Sequence, residues 1–287
     1  MRYHRATKLE EVSELLKTWR GRAKVIAGGT NLIPYMRADA IRPGLIIDLS
    51  ALEGLSYIRE ERSTVSIGAL TTIDELASSS TVQRRSLILA SAANRLGNPL
   101  VRNRATIGGN LANASPGADM APPLLALDAS IHTAGASEKR RKIHVDQFFL
   151  GPNKTVLEED EVITHIEFAK PRQQARGSHI KFGLRDAGAL SIVSIAVLLE
   201  MHGKVCGRAR VALCPMAPKP IRVYGVEKML EGKEIDAKVL EECTTVLKSE
   251  TSPRPVSVRA SVEYRKHLAS VLLKRAVQKA LNRGVEV

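Results

Sequence analysis

Aromatic side chains are scarce in this 287-residue chain: one Trp, five Tyr and four Phe, 3% of the residues. Any core must be filled by Leu, Ile, Val and Ala, and few rings are available for stacking nucleic-acid bases. That scarcity bears on the net charge of +13, which by itself suggests a nucleic-acid partner. Arg and Lys are spread over the whole length, and their clusters, such as Lys139 to Lys142, are short and not interleaved with aromatics. The expectation is therefore a soluble, basic surface suited to an acidic partner or an anionic ligand, with no nucleic acid. Cysteine is also sparse. Cys206, Cys214 and Cys243 form no C-x-x-C pair, which argues against zinc or iron–sulfur ligation in this chain and against a disulfide framework. Long apolar runs are missing too. The N-terminal MRYHRATKLEEV has no signal-peptide core, and the longest apolar run, Leu190 to Leu199, is broken by serines and too short for a bilayer. A cytoplasmic protein without membrane association is expected, and the N-x-[ST] matches at Asn113 and Asn153 are read as noise. Several signatures are absent as well: no G-x-G-x-x-G after a strand, no complete P-loop at Gly151 to Thr155, no G-x-S-x-G and no H-E-x-x-H.

What is present is a patterned α+β chain, long enough for two or three packed units. Leu9 to Trp19 is apolar at helical spacing, with Thr7 and Glu10 read as a capping box and Gly21 as its stop. Ala23 to Ala27 and Leu45 to Leu49 read as buried strands around a helical turn at Asn31 to Arg37, a βαβ-like unit. Val65 to Ile67 is strand-like, Thr71 or Thr72 caps a helix through Leu76, and Leu87 to Leu96 is a helix ending at Gly97. Thr106 to Ala118 is rich in Gly, Asn, Ser and Ala and is expected to resist regular structure, with a helix resuming over Asp119 to Asp128. After the strand Val162 to Phe168, the polar stretch Pro171 to Gly177 marks the main boundary. Strands follow at Ser178 to Leu184, Ser191 to Met201 and Val205 to Leu213, then helices at Lys238 to Leu247 and Ala260 to Asn282. Strands first and helices afterwards suggest a separate α+β unit.

Two glycine turns stand out: Ala27-Gly28-Gly29-Thr30-Asn31, directly after a strand, and Thr106-Ile107-Gly108-Gly109-Asn110, followed by Asn113, Ser115 and Asp119. Glycine lets a backbone approach a ligand closely, and a strand–turn–helix with paired glycines can align N–H groups into an anion-binding nest. Either turn alone is more often a plain tight turn. Two of them about eighty residues apart, each flanked by apolar residues, suit a dinucleotide with its phosphates between two nests.

At these turns the sequence resembles the FAD-binding subunit of molybdenum hydroxylases, the xanthine dehydrogenase and aerobic carbon monoxide dehydrogenase group. The carrying segments are AGGTNLIPYMR (Ala27 to Arg37) and RNRATIGGNLANASPGADMAPPLLAL (Arg102 to Leu127). YHRATKLEEV (Tyr3 to Val12), KFGLRDAGALSIVSIAV (Lys181 to Val197) and SPRPVSVRASVEYRKHL (Ser252 to Leu268) extend the likeness over nearly the whole chain.

The resemblance implies a two-subdomain FAD-binding fold of the vanillyl-alcohol-oxidase type, residues 1–55 and 56–175, and a C-terminal α+β domain, residues 176–287. It implies noncovalent FAD, with Ala27 to Asn31 on the pyrophosphate, Leu32 beside them, and Thr106, Gly108, Gly109 and Asn110 binding from the other side. Asn113, Ser115 and Asp119 match positions on the ribityl, phosphate or adenosine part. Leu157 matches a position near the adenine, and Lys181 one near the flavin ring, where a cation would favour the anionic reduced form. It also implies a molybdopterin-binding large subunit, a small subunit with [2Fe-2S] clusters, an NAD or other acceptor, and a dimer of heterotrimers. The related oxidase branch tethers flavin through a histidine beside the first turn; Thr30 stands there. Relatives often carry an Asp, sometimes followed by an aromatic, where this chain has Ala189 and Leu190. A self-contained flavin reductase is the alternative, with Ser191 or Tyr224 as its candidate general acid. A cofactor-free scaffold is a third reading, and the intact glycine turns argue against it.

Overall fold

The computed structural model describes residues 1–137 and 139–282. The first part is a three-stranded parallel sheet of β1 (Arg2–Arg5), β2 (Ala23–Ile26) and β3 (Leu45–Asp48), with β3 in the middle. α1 (Leu9–Trp19) crosses from β1 to β2, and α2 (Leu32–Arg37) from β2 to β3, the expected βαβ unit. β1 carries the polar sequence RYHR, so it has no strand pattern; it is an edge strand held by main-chain pairing to β3. The box expected from Thr7 and Glu10 does not form. The helix starts one residue later than that spacing requires, Lys8 is its N-cap, and Glu11 receives the Thr7 N–H at 3.0 Å.

The second part is an antiparallel five-stranded sheet, ordered β4-β5-β10-β6-β7. Its strands are β4 (Ile58–Glu60), β5 (Thr64–Gly68), β6 (Ser130–Ala134), β7 (Arg140–His144) and β10 (Val162–Ala169), with a hairpin of β8 (Phe149–Gly151) and β9 (Lys154–Thr155) beside it. Between β5 and β6 run short helices: α3 (Ile73–Ser78), α4 (Ser80–Arg85), α5 (Leu87–Arg95), α6 (Pro99–Arg102), α7 (Ile107–Ala112) and α8 (Ala121–Ala126). α9 (Val145–Phe148) follows β7. Thr72 and Glu75 form a complete capping box at α3. α8 is shorter than the helix expected over Asp119 to Asp128, because Asp119 and Met120 lie in a turn before it and Asp128 adopts a left-handed φ of 51° after it.

The third part is an antiparallel sheet of β11 (Ala175–Gly183), β12 (Ser191–His202), β13 (Val205–Cys214) and β14 (Ile221–Arg222). It is followed by α10 (Tyr224–Leu230), α11 (Ala237–Glu250) and α12 (Val262–Asn282). β12 is buried from Ser191 to Met201. Val193, Ile195, Val197, Leu199 and Met201 face the helices of this part, while Ala196 and Leu198 pack into the core of the second part. A strand covered on both faces needs a continuous apolar run, which is what the longest such run in the chain provides.

His179 on β11 sits in this joint, sharing hydrogen bonds with Ser194 Oγ at 3.0 Å and Ser91 Oγ at 3.4 Å. Burial drives its imidazole down to about 3, and Lys181, Arg95 and Lys279 push the same way. The ring is neutral in the fold, whereas an unfolded histidine takes a proton below about pH 6.5. Stability should therefore fall as pH drops below that value, by about 1.4 kcal/mol per pH unit from this group. Burial also lowers the stacked pair His132 and His165, whose ring centroids are 4.0 Å apart, so they add to the same trend. Urea denaturation from pH 7 to 5 checks this: His179→Gln should flatten the slope by about one proton, and an unchanged slope would show that His179 is already charged in the native state.

Candidate functional site

The first glycine turn leaves β2 at Ile26 and enters α2 at Leu32. Gly29 sits at φ +71°, and its carbonyl accepts the Ile33 N–H at 3.0 Å. The N–H groups of Gly28, Gly29, Thr30 and Asn31 have no protein acceptor among the described residues. Ala27 to Thr30 are half-buried and Asn31 is exposed. Four consecutive free donors at the end of a strand form an open anion nest.

The second turn is built differently from its expectation. Thr106 Oγ1 accepts from Gly109 N at 3.1 Å, Gly108 N donates to Ala69 O at 2.9 Å, and Asn110 N donates to Thr106 O at 2.9 Å. Its donors are largely spent inside the protein, so it is a capped helix start and not a second nest. The stretch expected to resist regular structure contains α7. The Thr106 cap and the complete burial of Ile107 and Leu111 outweigh the poor helix propensity of two glycines.

The glycines divide the work. A Cβ on Gly28 would lie 1.8 Å from Arg104 O, so the first turn packs directly on the backbone that leads into the second. A Cβ on Gly108 would lie 2.7 Å from that of Ala69. Gly109 is exposed, and a Cβ there meets only Thr106 Oγ1, at 2.9 Å. The turns thus stand edge to edge, one offering free N–H groups and the other bare backbone at Gly109. A pyrophosphate needs both donors and close backbone approach, so these residues fit the phosphate part of a flavin dinucleotide.

The loop after α7 is ordered by its own polar groups. Asn110 Oδ1 accepts from Met120 N at 3.3 Å, and Ser115 Oγ accepts from Gly117 N at 3.3 Å. Asn153, dismissed as a chance sequon, donates its side-chain N–H to Asn113 O and its backbone N–H to Ala114 O, both at 2.9 Å. That ties the β8–β9 hairpin, and the half-buried Leu157 beyond it, to the second turn. Asn153 adopts a left-handed φ of 56°, which asparagine tolerates, but nothing local in the sequence shows that its side chain reaches Asn113.

Asp119 and Lys181, given separate positions by the resemblance, meet each other. Lys181 Nζ donates to Asp119 Oδ2 at 2.7 Å and to Arg95 O at 3.0 Å, and Ser191 Oγ donates to Asp119 Oδ1 at 2.7 Å. All three side chains are buried. Burial pushes the Asp119 carboxyl up, while Lys181 and Ser191 pull it back. Lys181 is therefore a buried, paired lysine on β11. Ser191 is occupied by Asp119, and Tyr224, raised to about 12 by burial and its bond to Asp146, is held at the start of α10. Ala189 and Leu190 lie on the loop between β11 and β12, lining an open cleft of about 300 Å³ with Leu184, Arg185, Gly188 and Arg259. Among the described residues no cluster of His, Cys, Asp and Glu could hold a metal ion, and no helix is long and apolar enough to cross a membrane.

The FAD binding domain in molybdopterin dehydrogenase matches residues 1–171, and the CO dehydrogenase flavoprotein C-terminal domain matches residues 178–280. The chain is 34% identical to the carbon monoxide dehydrogenase medium chain of Hydrogenophaga pseudoflava, over 97% of this chain and 96% of that one. It is 31% identical to the xanthine dehydrogenase FAD-binding subunit of Escherichia coli O157:H7, over 97% and 95%. Among solved structures, carbon monoxide dehydrogenase from Hydrogenophaga pseudoflava, in a form lacking the Mo-pyranopterin moiety, superposes with a TM-score of 0.95 at 32% identity, covering 99% of this chain and 98% of that one. With the nest at Gly28 to Asn31 and the bare backbone at Gly109 in place, this chain belongs to the family of FAD-binding medium subunits of molybdenum hydroxylases of the carbon monoxide and xanthine dehydrogenase type.

Proposed function

We propose that the chain is the electron-transfer subunit of such an enzyme, lying between the iron–sulfur clusters of a small subunit and an acceptor, NAD or another. A large molybdopterin subunit then oxidises the organic substrate, and the assembly is a cytoplasmic dimer of heterotrimers. The row of free N–H groups on Gly28 to Asn31, in a chain matched by the family along nearly all its length, carries this reading.

Bound FAD would supply the redox chemistry, accepting and releasing electrons. The chain's own residues bind and orient. Ala27 to Asn31 would hold the pyrophosphate through the free N–H groups of Gly28 to Asn31, with Leu32 beside them, and the turn of Thr106, Gly108, Gly109 and Asn110 would close the other side through the bare backbone at Gly109. Asn113, Ser115 and Asp119 would serve the ribityl, phosphate or adenosine part, and Leu157 the adenine. Lys181, its Nζ anchored by Asp119 Oδ2 and Arg95 O, would stand as a positioned donor near the flavin ring. Such a task needs no acid–base constellation, which accounts for the engaged Ser191 and Tyr224.

The chain purified alone should be yellow, with FAD released on denaturation, and should reduce acceptors only after mixing with its molybdenum and iron–sulfur partners. Substrate turnover by the isolated chain would sink the proposal.

A further inference from the structure

Arg265, in the first turn of α12, is only 5% exposed, and its Nε is shielded from solvent with no hydrogen-bond partner. Among the described residues it forms no ion pair, and neither do Arg185, Arg254 and Arg259. Burial lowers the basicity of Arg265, and the charges of Arg259 and Arg254 lower it further. A buried guanidinium held against two more cations is costly without an anion.

The surroundings supply other donors but no paired acid. Arg259 and Arg185 line the open cleft beside the β11–β12 loop, and Arg185 donates to Gly188 O at 3.0 Å. Ser261 accepts the N–H groups of Tyr264 and Arg265, each at 3.1 Å. The N–H groups of Val262 and Glu263 have no protein acceptor among the described residues, so the start of a 21-residue helix points free donors outward. The acidic side chains of these two segments, Asp186 and Glu263, are exposed.

We propose that this corner, between the β11–β12 loop and the start of α12, is an anion site that takes a phosphate group through Arg254, Arg259 and Arg265. A phosphate oxygen cluster matches the planar forks of several arginines and the donors of a helix N-terminus. The loop it abuts joins β11, which carries Lys181, to β12, which begins at Ser191, and these two residues hold Asp119. An occupant would therefore sit beside the loop that links the two strands bearing Lys181 and Ser191.

The full chain, saturated with FAD so that the glycine turns are filled, is titrated calorimetrically at low ionic strength with inorganic phosphate, pyrophosphate and AMP. Binding of all three supports the site and marks free phosphate as sufficient; binding of AMP alone supports it and marks a nucleotide as the source. Arg254→Gln/Arg259→Gln changes only exposed side chains and should weaken binding by at least about tenfold. Arg265→Lys keeps the charge but loses the fork and should weaken it as well. No binding by the unaltered chain, or equal affinity in the Arg254→Gln/Arg259→Gln protein, overturns the proposal. Flavin content, read from absorbance in the same samples, keeps the result separate from the fate of the FAD reading.

Discussion

Gly109→Val is expected to give a folded protein that no longer retains FAD. The new Cβ meets only the Thr106 hydroxyl, so the fold loses a helix cap worth about 1 kcal/mol. The isopropyl group then stands where the backbone must lie bare for a pyrophosphate to approach, and flavin per protein should drop at least about tenfold. Gly28→Ala makes the contrast. Its methyl would sit 1.8 Å from Arg104 O, and that backbone cannot retreat freely because the next carbonyl, Ala105 O, holds Ile73 N at 2.8 Å. Overpacking against fixed backbone costs about 3 kcal/mol, so this variant should lose stability and flavin together. Urea midpoints and the flavin-to-protein absorbance ratio, measured on both variants, separate the two effects. Normal flavin content in folded Gly109→Val would remove that glycine from the cofactor site.

How much of this was legible in the sequence depends on whether a residue's role is local. The strand before Gly28, a helix cap at Thr71 or Thr72 and the apolar stripes of α1, α5 and α11 follow from short-range pattern, and they were readable. So was the nest, because Gly-Gly after a strand acts through its own backbone. The contact of Gly28 with Arg104 was not readable, since it joins segments about eighty residues apart and involves only main-chain atoms. The spent donors at Gly108 depend on Ala69 O, another distant backbone atom, so the second turn looked like a copy of the first. Asn153 was hidden for the same reason. Arg265 illustrates the opposite failure: its sequence neighbours gave no hint that a helix-surface arginine would be buried beside two others.

Asp119 and Lys181 yield the largest expected loss of stability and a distinctive pH signature. Removing one member of a buried ion pair strands the other and costs about 3–5 kcal/mol. Both Asp119→Asn and Lys181→Met should show this at pH 7, and the double variant should cost less than their sum by about 1–3 kcal/mol. The singles should then differ in their response to pH. In Lys181→Met the stranded carboxyl titrates far above its unfolded value of about 3.9, so the native state binds the extra proton and stability recovers as pH falls. Asp119→Asn has no carboxyl to take up that proton, so its stability should not recover as pH falls. Ser191→Ala should cost less, since it removes a neutral donor and leaves the pair intact. Urea denaturation of the four proteins from pH 5 to 9 tests the assignment. Parallel pH profiles, or additive losses in the double variant, would mean that the two charges do not depend on each other. The cofactor edge would then have to be described with Lys181 as a free cation.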